Sequence, residues 1–122
     1  MSYVIKRQVN YKAHQSAMSF KFPALFTENG VLISHLTFLY TKRSKSQSWL
    51  ERNCFAIELL LKFINSQTLF YQSATELLRA FVDALCFGTI ERGQDPTGLY
   101  WRPRKSEDVN VLLRHITSYC DY

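Results

Sequence analysis

Between residues 48 and 65, apolar side chains return every three or four positions, which predicts a long helix. Leu50, Cys54, Ile57, Leu61 and Ile64 form one stripe, and Trp49, Ala56, Leu60 and Phe63 form a second beside it. So wide an apolar surface marks a central helix packed by several neighbours. Glu58 and Lys62 make an i,i+4 pair on its polar side. A shorter helix over about 31–42 is predicted by Leu32, Leu36 and Leu39 on one face. A third opens at the capping box Ser73-Ala74-Thr75-Glu76, carries Leu77, Leu78, Phe81, Val82 and Leu85, and stops at Gly88. A fourth has Ser106 as N-cap and Glu107 and Asp108 in its first turn. Its stripe is Val109, Leu112, Leu113, Ile116, Tyr119 and Cys120.

The first residues follow a different period. Tyr3, Ile5, Val9 and Tyr11 alternate with Lys6, Gln8, Asn10 and Lys12, and Met18, Phe20 and Phe22 alternate with Ser19 and Lys21. This predicts a small hairpin with the two sets on opposite sides, ended by Pro23, with a turn at Asn29-Gly30. The expected fold is mainly α: a four-helix bundle over residues 30–122 behind an N-terminal extension, 1–29, that carries a small β-hairpin. The chain stops inside the last apolar stripe with no Gly, Pro or cap. That is the expectation for a piece of a longer protein.

Composition narrows the function classes. With 122 residues and 47% hydrophobic side chains the chain has enough apolar surface for one core. Cys54, Cys86 and Cys120 are odd in number and widely spaced, so zinc and disulfides are not expected; buried free thiols in a reducing cytoplasm are. No secretory leader is visible, and no apolar run is long enough for a membrane helix, so no membrane partner is expected. No cofactor motif, metal-ligand spacing or nucleophile–base spacing is present, so no cofactor and no catalytic residue are assigned.

The net charge of +5 is unevenly placed. Residues 1–45 hold seven Lys and Arg against the single acid Glu28, whereas residues 46–98 hold four against six. Focused positive charge favours a polyanion. Two basic segments run directly into helices. The first is Thr41-Lys42-Arg43-Ser44-Lys45-Ser46-Gln47-Ser48-Trp49 and the second is Trp101-Arg102-Pro103-Arg104-Lys105-Ser106. Each sets cations beside the free N–H groups of a helix start, which suits phosphate. The candidate DNA-binding residues are Lys42, Arg43, Lys45, Ser46, Ser48, Arg52 and Asn53 from the first helix start. From the second come Arg102, Arg104, Lys105, Arg114 and His115. Tyr100 and Trp101 either stack on a nucleotide or anchor the loop 89–105 to the core, and anchoring is preferred.

These motifs resemble the core-binding domain of the tyrosine recombinases, the phage-integrase family. The likeness covers about residues 30–122 and rests on Lys45-Ser46-Gln47-Ser48-Trp49-Leu50 through Leu59-Leu60-Leu61-Lys62-Phe63-Ile64. Ser106-Glu107-Asp108-Val109-Asn110, Arg114-His115 and Tyr119-Cys120-Asp121-Tyr122 complete it. The resemblance implies a SAM-like orthogonal bundle. It also implies a role in DNA integration and recombination, clamping one face of double-stranded DNA while a C-terminal catalytic domain of the same chain covers the other. Other recombinase protomers on the DNA would be further partners. The family's catalytic His-x-x-Arg is absent: His14, His35 and His115 are followed three residues later by Ala17, Phe38 and Ser118. The rival expectation is a helical protein–protein interaction domain of a regulatory adaptor. The clamp requires residues 42–52 and 102–115 to converge on one face.

Overall fold

The computed structural model describes residues 4–12, 19–66 and 73–122; in 10–12 and 19–20 only the backbone is described. The element order is β1 (Ile5–Lys12), β2 (Ser19–Thr27), β3 (Gly30–Val31), α1 (Ile33–Thr41), α2 (Gln47–Ser66), α3 (Ala74–Phe87) and α4 (Ser106–Cys120). The protein is mainly helical, with a three-stranded antiparallel sheet in the order β1-β2-β3. Tyr3 and Met18, two positions of the predicted alternation, lie outside the described residues.

The sheet differs from its sequence pattern in two ways. Pro23 does not end the hairpin, because β2 runs on to Thr27. β3 pairs only with Phe26 and Thr27, so at Pro23 the strand has a neighbour on one side alone, where proline is tolerated. β1 is also not split into an apolar inner and a polar outer side: Ile5 is 40% exposed, Val4 is buried, Val9 is half-buried, and the exposed Lys6 and Gln8 reach α2. Both meet Glu51, with Lys6 Nζ 3.1 Å from Oε2 and Gln8 Nε2 donating to Oε1 at 3.1 Å. One carboxylate in the first turns of α2 thus ties the polar side of the strand to the helix at the surface. The extension is built into the bundle, since β2 places Phe22, Pro23, Ala24 and Leu25 in the interior.

α2 is the central element, as its double stripe predicts. Cys54, Ala56, Ile57, Leu59 and Phe63 pack with Leu25 of β2, Phe81 and Leu85 of α3, and Val109, Leu112 and Ile116 of α4. A smaller cluster joins Phe22, Phe38, Leu39 and Leu50. Burial pushes the Cys54 thiol up to about 12, which makes it an inert core group. Cys86 is half-buried and Cys120 is exposed, so the expectation of three buried thiols holds for Cys54 alone; Cys120 lies in the last turn of α4, beyond the core. The Glu58–Lys62 pair forms at 3.3 Å. Among the described residues no helix is long and apolar enough to cross a membrane.

The caps are partly as predicted. Ser73 accepts from the Glu76 N–H and Gly88 ends α3 at φ 79°. A Cβ at Gly88 would meet the Trp101 carbonyl oxygen at 2.7 Å, so only glycine lets the returning chain approach. Ser106 is the first helical residue of α4 and not its N-cap; Lys105 holds that place and makes no side-chain cap bond.

The segment 89–105 has no regular structure, but one carboxylate organises it. Asp95 accepts from the Thr89 hydroxyl, the Thr97 hydroxyl and N–H, and the Tyr100 N–H. Thr89 in turn accepts from the Trp101 N–H at 2.9 Å, and the Arg104 N–H reaches the Leu85 carbonyl at 3.0 Å. Trp101 is the anchor, packed on Phe63 and Phe81, while Tyr100 is 56% exposed.

Burial raises the Asp95 carboxyl, but the hydrogen bonds from Thr89, Thr97 and Tyr100 outweigh it and lower it from 3.8 to about 2. An acid held below its unfolded value stabilises the fold above that value and loses the contribution as pH falls through the folded one. Thermal melts of the wild type and Asp95→Asn should therefore differ most above pH 5 and converge between pH 4 and pH 2. A gap that stays constant to pH 2 would remove Asp95 from this role.

Candidate nucleic-acid interface

The corner between α1 and α2 is short and basic. α1 ends with the Thr41 hydroxyl donating to the Phe38 carbonyl at 2.6 Å, and the N–H groups of Lys42, Arg43 and Lys45 close successive turns. Each cation here lies against an aromatic ring. Lys42 Nζ is 5.9 Å from the Phe38 centroid, Arg43 Cζ is 4.3 Å from Tyr40, and Lys45 Nζ is 5.8 Å from Trp49. Arg43 also donates to the Tyr40 carbonyl at 3.0 Å. Rings that hold the side chains leave less freedom to lose when a ligand binds. Arg43 and Lys45 are exposed and Lys42 is half-buried.

Ser46 is the cap of α2, because its hydroxyl accepts from the Trp49 N–H at 3.1 Å. Of the two roles the sequence leaves open for Ser46, helix cap or phosphate donor, the hydroxyl takes the first, and one N–H of this helix start is not free. Ser48 and Arg52 are exposed on the first turns. Glu51, the acid between them and the core, is engaged by Lys6 and Gln8.

Asn53 is expected to reach DNA, and its full burial corrects this; His115, expected there too, is mostly buried and keeps only a ring edge on a cavity between α2 and α4. Asn53 is fully buried and His115 is 7% exposed. Together with His35, also fully buried, they form a polar junction between three helices. His35 Nε2 lies 2.8 Å from Asn53 Oδ1. Asn53 Nδ2 lies 3.3 Å from both His115 Nδ1 and the His115 carbonyl oxygen. A carbonyl only accepts, so the amide nitrogen faces His115 and the oxygen faces His35. His35 then carries its proton on Nε2, and the neutral His115 carries its proton on Nε2. Tyr119 closes the junction edge-on to His35 at 5.1 Å, its hydroxyl 2.6 Å from that of Ser34.

Burial lowers both histidines below their ordinary value of 6.5. At His35 the hydrogen bond to Asn53 opposes this only in part. At His115 the positive charge of Arg52 adds to it. Among the described residues His35 Nδ1 is buried without a partner, so a proton there would have none of them to donate to.

The two basic segments do not come side by side. Trp49 near the start of α2 lies 5.0 Å from His115 in the second half of α4, while Phe63 near the end of α2 lies 6.1 Å from Trp101 just before α4. The helices thus run antiparallel, and at 1.5 Å per residue their starts are about 20 Å apart. Lys42, Arg43, Lys45, Ser46, Ser48, Arg52 and Arg114 gather at one end. Arg102, Arg104 and Lys105 sit at the other, beside Glu107 and Asp108 of the α4 first turn. Arg104 is half-buried, its Cζ 5.7 Å from the Trp101 ring, whereas Arg102 and Lys105 are exposed. Among the described residues, no group of three or more His, Cys, Asp or Glu is placed to hold a metal ion.

No family model matches the chain, and neither a curated protein nor a solved structure is detectably similar to it.

The junction sets a stability prediction. Asn53→Ala leaves both histidines facing a void and should cost about 3 kcal/mol in urea unfolding. Because both histidines are held low, wild-type stability is full above pH 6.5 and should decline as pH falls from there towards 5. A cost below about 1 kcal/mol, or stability flat to pH 5, would show that the junction is not structurally important.

Proposed function

We propose that this chain is a non-catalytic DNA-binding module that grips duplex phosphates with the α1–α2 corner and the neighbouring turn of α4. The observation that carries the reading is the set of ring-supported cations Lys42, Arg43 and Lys45 next to Arg52 and Arg114. Glu51, the acid nearest to them in sequence, is occupied elsewhere. Phosphate contacts of this kind supply affinity and position, with sequence read through few groove contacts. The likeness to the core-binding domain of tyrosine recombinases supports the same reading and adds a SAM-like arrangement of the four helices. In such a protein, strand transfer during DNA integration and recombination would belong to a C-terminal catalytic domain, within a cytoplasmic assembly on DNA. The clamp built from two adjacent helix starts is not part of the proposal, because the starts lie at opposite ends of α2 and α4.

A second reading, a helical protein-interaction domain, is favoured by Phe87 and Tyr100. They are 75% and 56% exposed and flank the close contact of Gly88 with Trp101.

Fluorescence anisotropy with a duplex of about 30 base pairs separates the two. Log affinity should fall linearly with log salt, by about 0.9 per phosphate contact, and the triple substitution Lys42→Ala, Arg43→Ala and Lys45→Ala should flatten the slope by about 2–3. Alanine at Arg102, Arg104 and Lys105 should change it less. No binding at low salt, or binding indifferent to the first triple, would favour the interaction domain.

A further inference from the structure

We infer that the cavity between α2 and α4, lined by Trp49, Val111, Arg114, His115 and Ser118, seats one phosphate group of a nucleic-acid backbone. This rests on the DNA-binding reading and specifies where on that surface a phosphate is held. The cavity measures about 310 Å³. That is the low end of the range for ligand pockets, about 300–1,000 Å³, and suits one small group more than a whole nucleotide.

Its polar lining is made of donors. The Arg114 guanidinium has no acceptor, the Ser118 hydroxyl can donate, and among the described residues no carboxylate lines the space. The decisive group is His115. The Asn53 amide nitrogen gives to its Nδ1, so the neutral ring presents Nε2–H. Among the described residues Nε2 has no hydrogen-bond partner, although the residue is more than nine-tenths buried. The second contact from Asn53 to the His115 carbonyl and the edge-on Trp49 ring at 5.0 Å fix the imidazole from behind. The residue is mostly buried, but Nε2 itself keeps access to the cavity, so an oriented, unpaired donor beside a guanidinium faces the space that an oxyanion would fill.

The surroundings agree in sign. Arg52 of α2 is close enough to act on His115 electrostatically, and Lys45 lies over the Trp49 ring. The acids nearest in sequence are Asp108, three residues before Val111 in α4, and Asp121, the C-cap three residues after Ser118, and neither is in the lining. A tetrahedral phosphate can accept from three donors set around it and carries the charge that the site lacks.

Long-range ¹H–¹⁵N NMR of the His115 imidazole in the full chain tests this, with dimethyl phosphate and inorganic phosphate as probes in sodium chloride at constant ionic strength. The His115 Nε2 signal should move and saturate with dimethyl phosphate. Arg114→Gln should weaken the apparent affinity about tenfold. Asp121→Asn should strengthen it about twofold, and Arg102→Gln should leave it unchanged. No saturable shift, or an unchanged affinity in Arg114→Gln, would overturn the site. Saturation by inorganic phosphate alone would overturn the assignment to a phosphodiester. A 30-base-pair duplex forms the last arm. Duplex that binds without moving His115 overturns this site and leaves the DNA-binding reading intact. Saturation by dimethyl phosphate with no duplex binding overturns the DNA-binding reading, and with it the nucleic-acid backbone as the source.

Discussion

One carboxamide holds the helices in register. Asn53 joins α1 through His35 and α4 through His115, at 2.8 and 3.3 Å, from the middle of the central helix. Three polar side chains in an apolar interior are costly unless their partners are in place, so only one alignment of α1, α2 and α4 satisfies them. That alignment has consequences at the surface. It sets His115 against Trp49, which brings Arg114, the next-to-adjacent turn of α4 and the basic corner of α1–α2 to one end of the molecule. The candidate interface is in this sense the outer side of a buried amide.

The repeat of apolar positions was enough to find the four helices to within a few residues, and short polar signals found Ser73 and Gly88 as caps. The three junction residues were harder, because a buried polar side chain interrupts a stripe and resembles a surface position. A signal was present nonetheless. His35 lies between Leu32 and Leu39, Asn53 between Leu50 and Ile57, and His115 between Leu112 and Tyr119. Each has an apolar residue three before it and four after it, the spacing of one helix face. Read by position and not by polarity, all three belong to the core.

Other differences had no local signal. The tie between the polar side of β1 and α2 depends on Glu51, more than forty residues away, which bonds both Lys6 and Gln8. The separation of the two basic helix starts depends on the antiparallel course of α2 and α4. In the candidate site, the cations of the first segment were legible as charge, but the rings beneath them were not. Phe38, Tyr40 and Trp49 had been assigned to no role in binding, and only their distances from Lys42, Arg43 and Lys45 link them to it.

The Asp95 cluster separates the tip of its loop from everything the core requires. Below it, Thr89, Thr97, Tyr100 and Trp101 are tied to one another and to the end of α3. Beyond it, residues 91–94 turn back on a single bridge between Glu91 and Gln94, and a side chain added at Gly93 would meet nothing within 4 Å. Sequence can be lengthened at that tip without strain reaching the bundle, so it offers a place for a fluorescent label or an affinity tag. Such an insertion would leave the basic end of the molecule, where DNA binding is proposed, unobstructed.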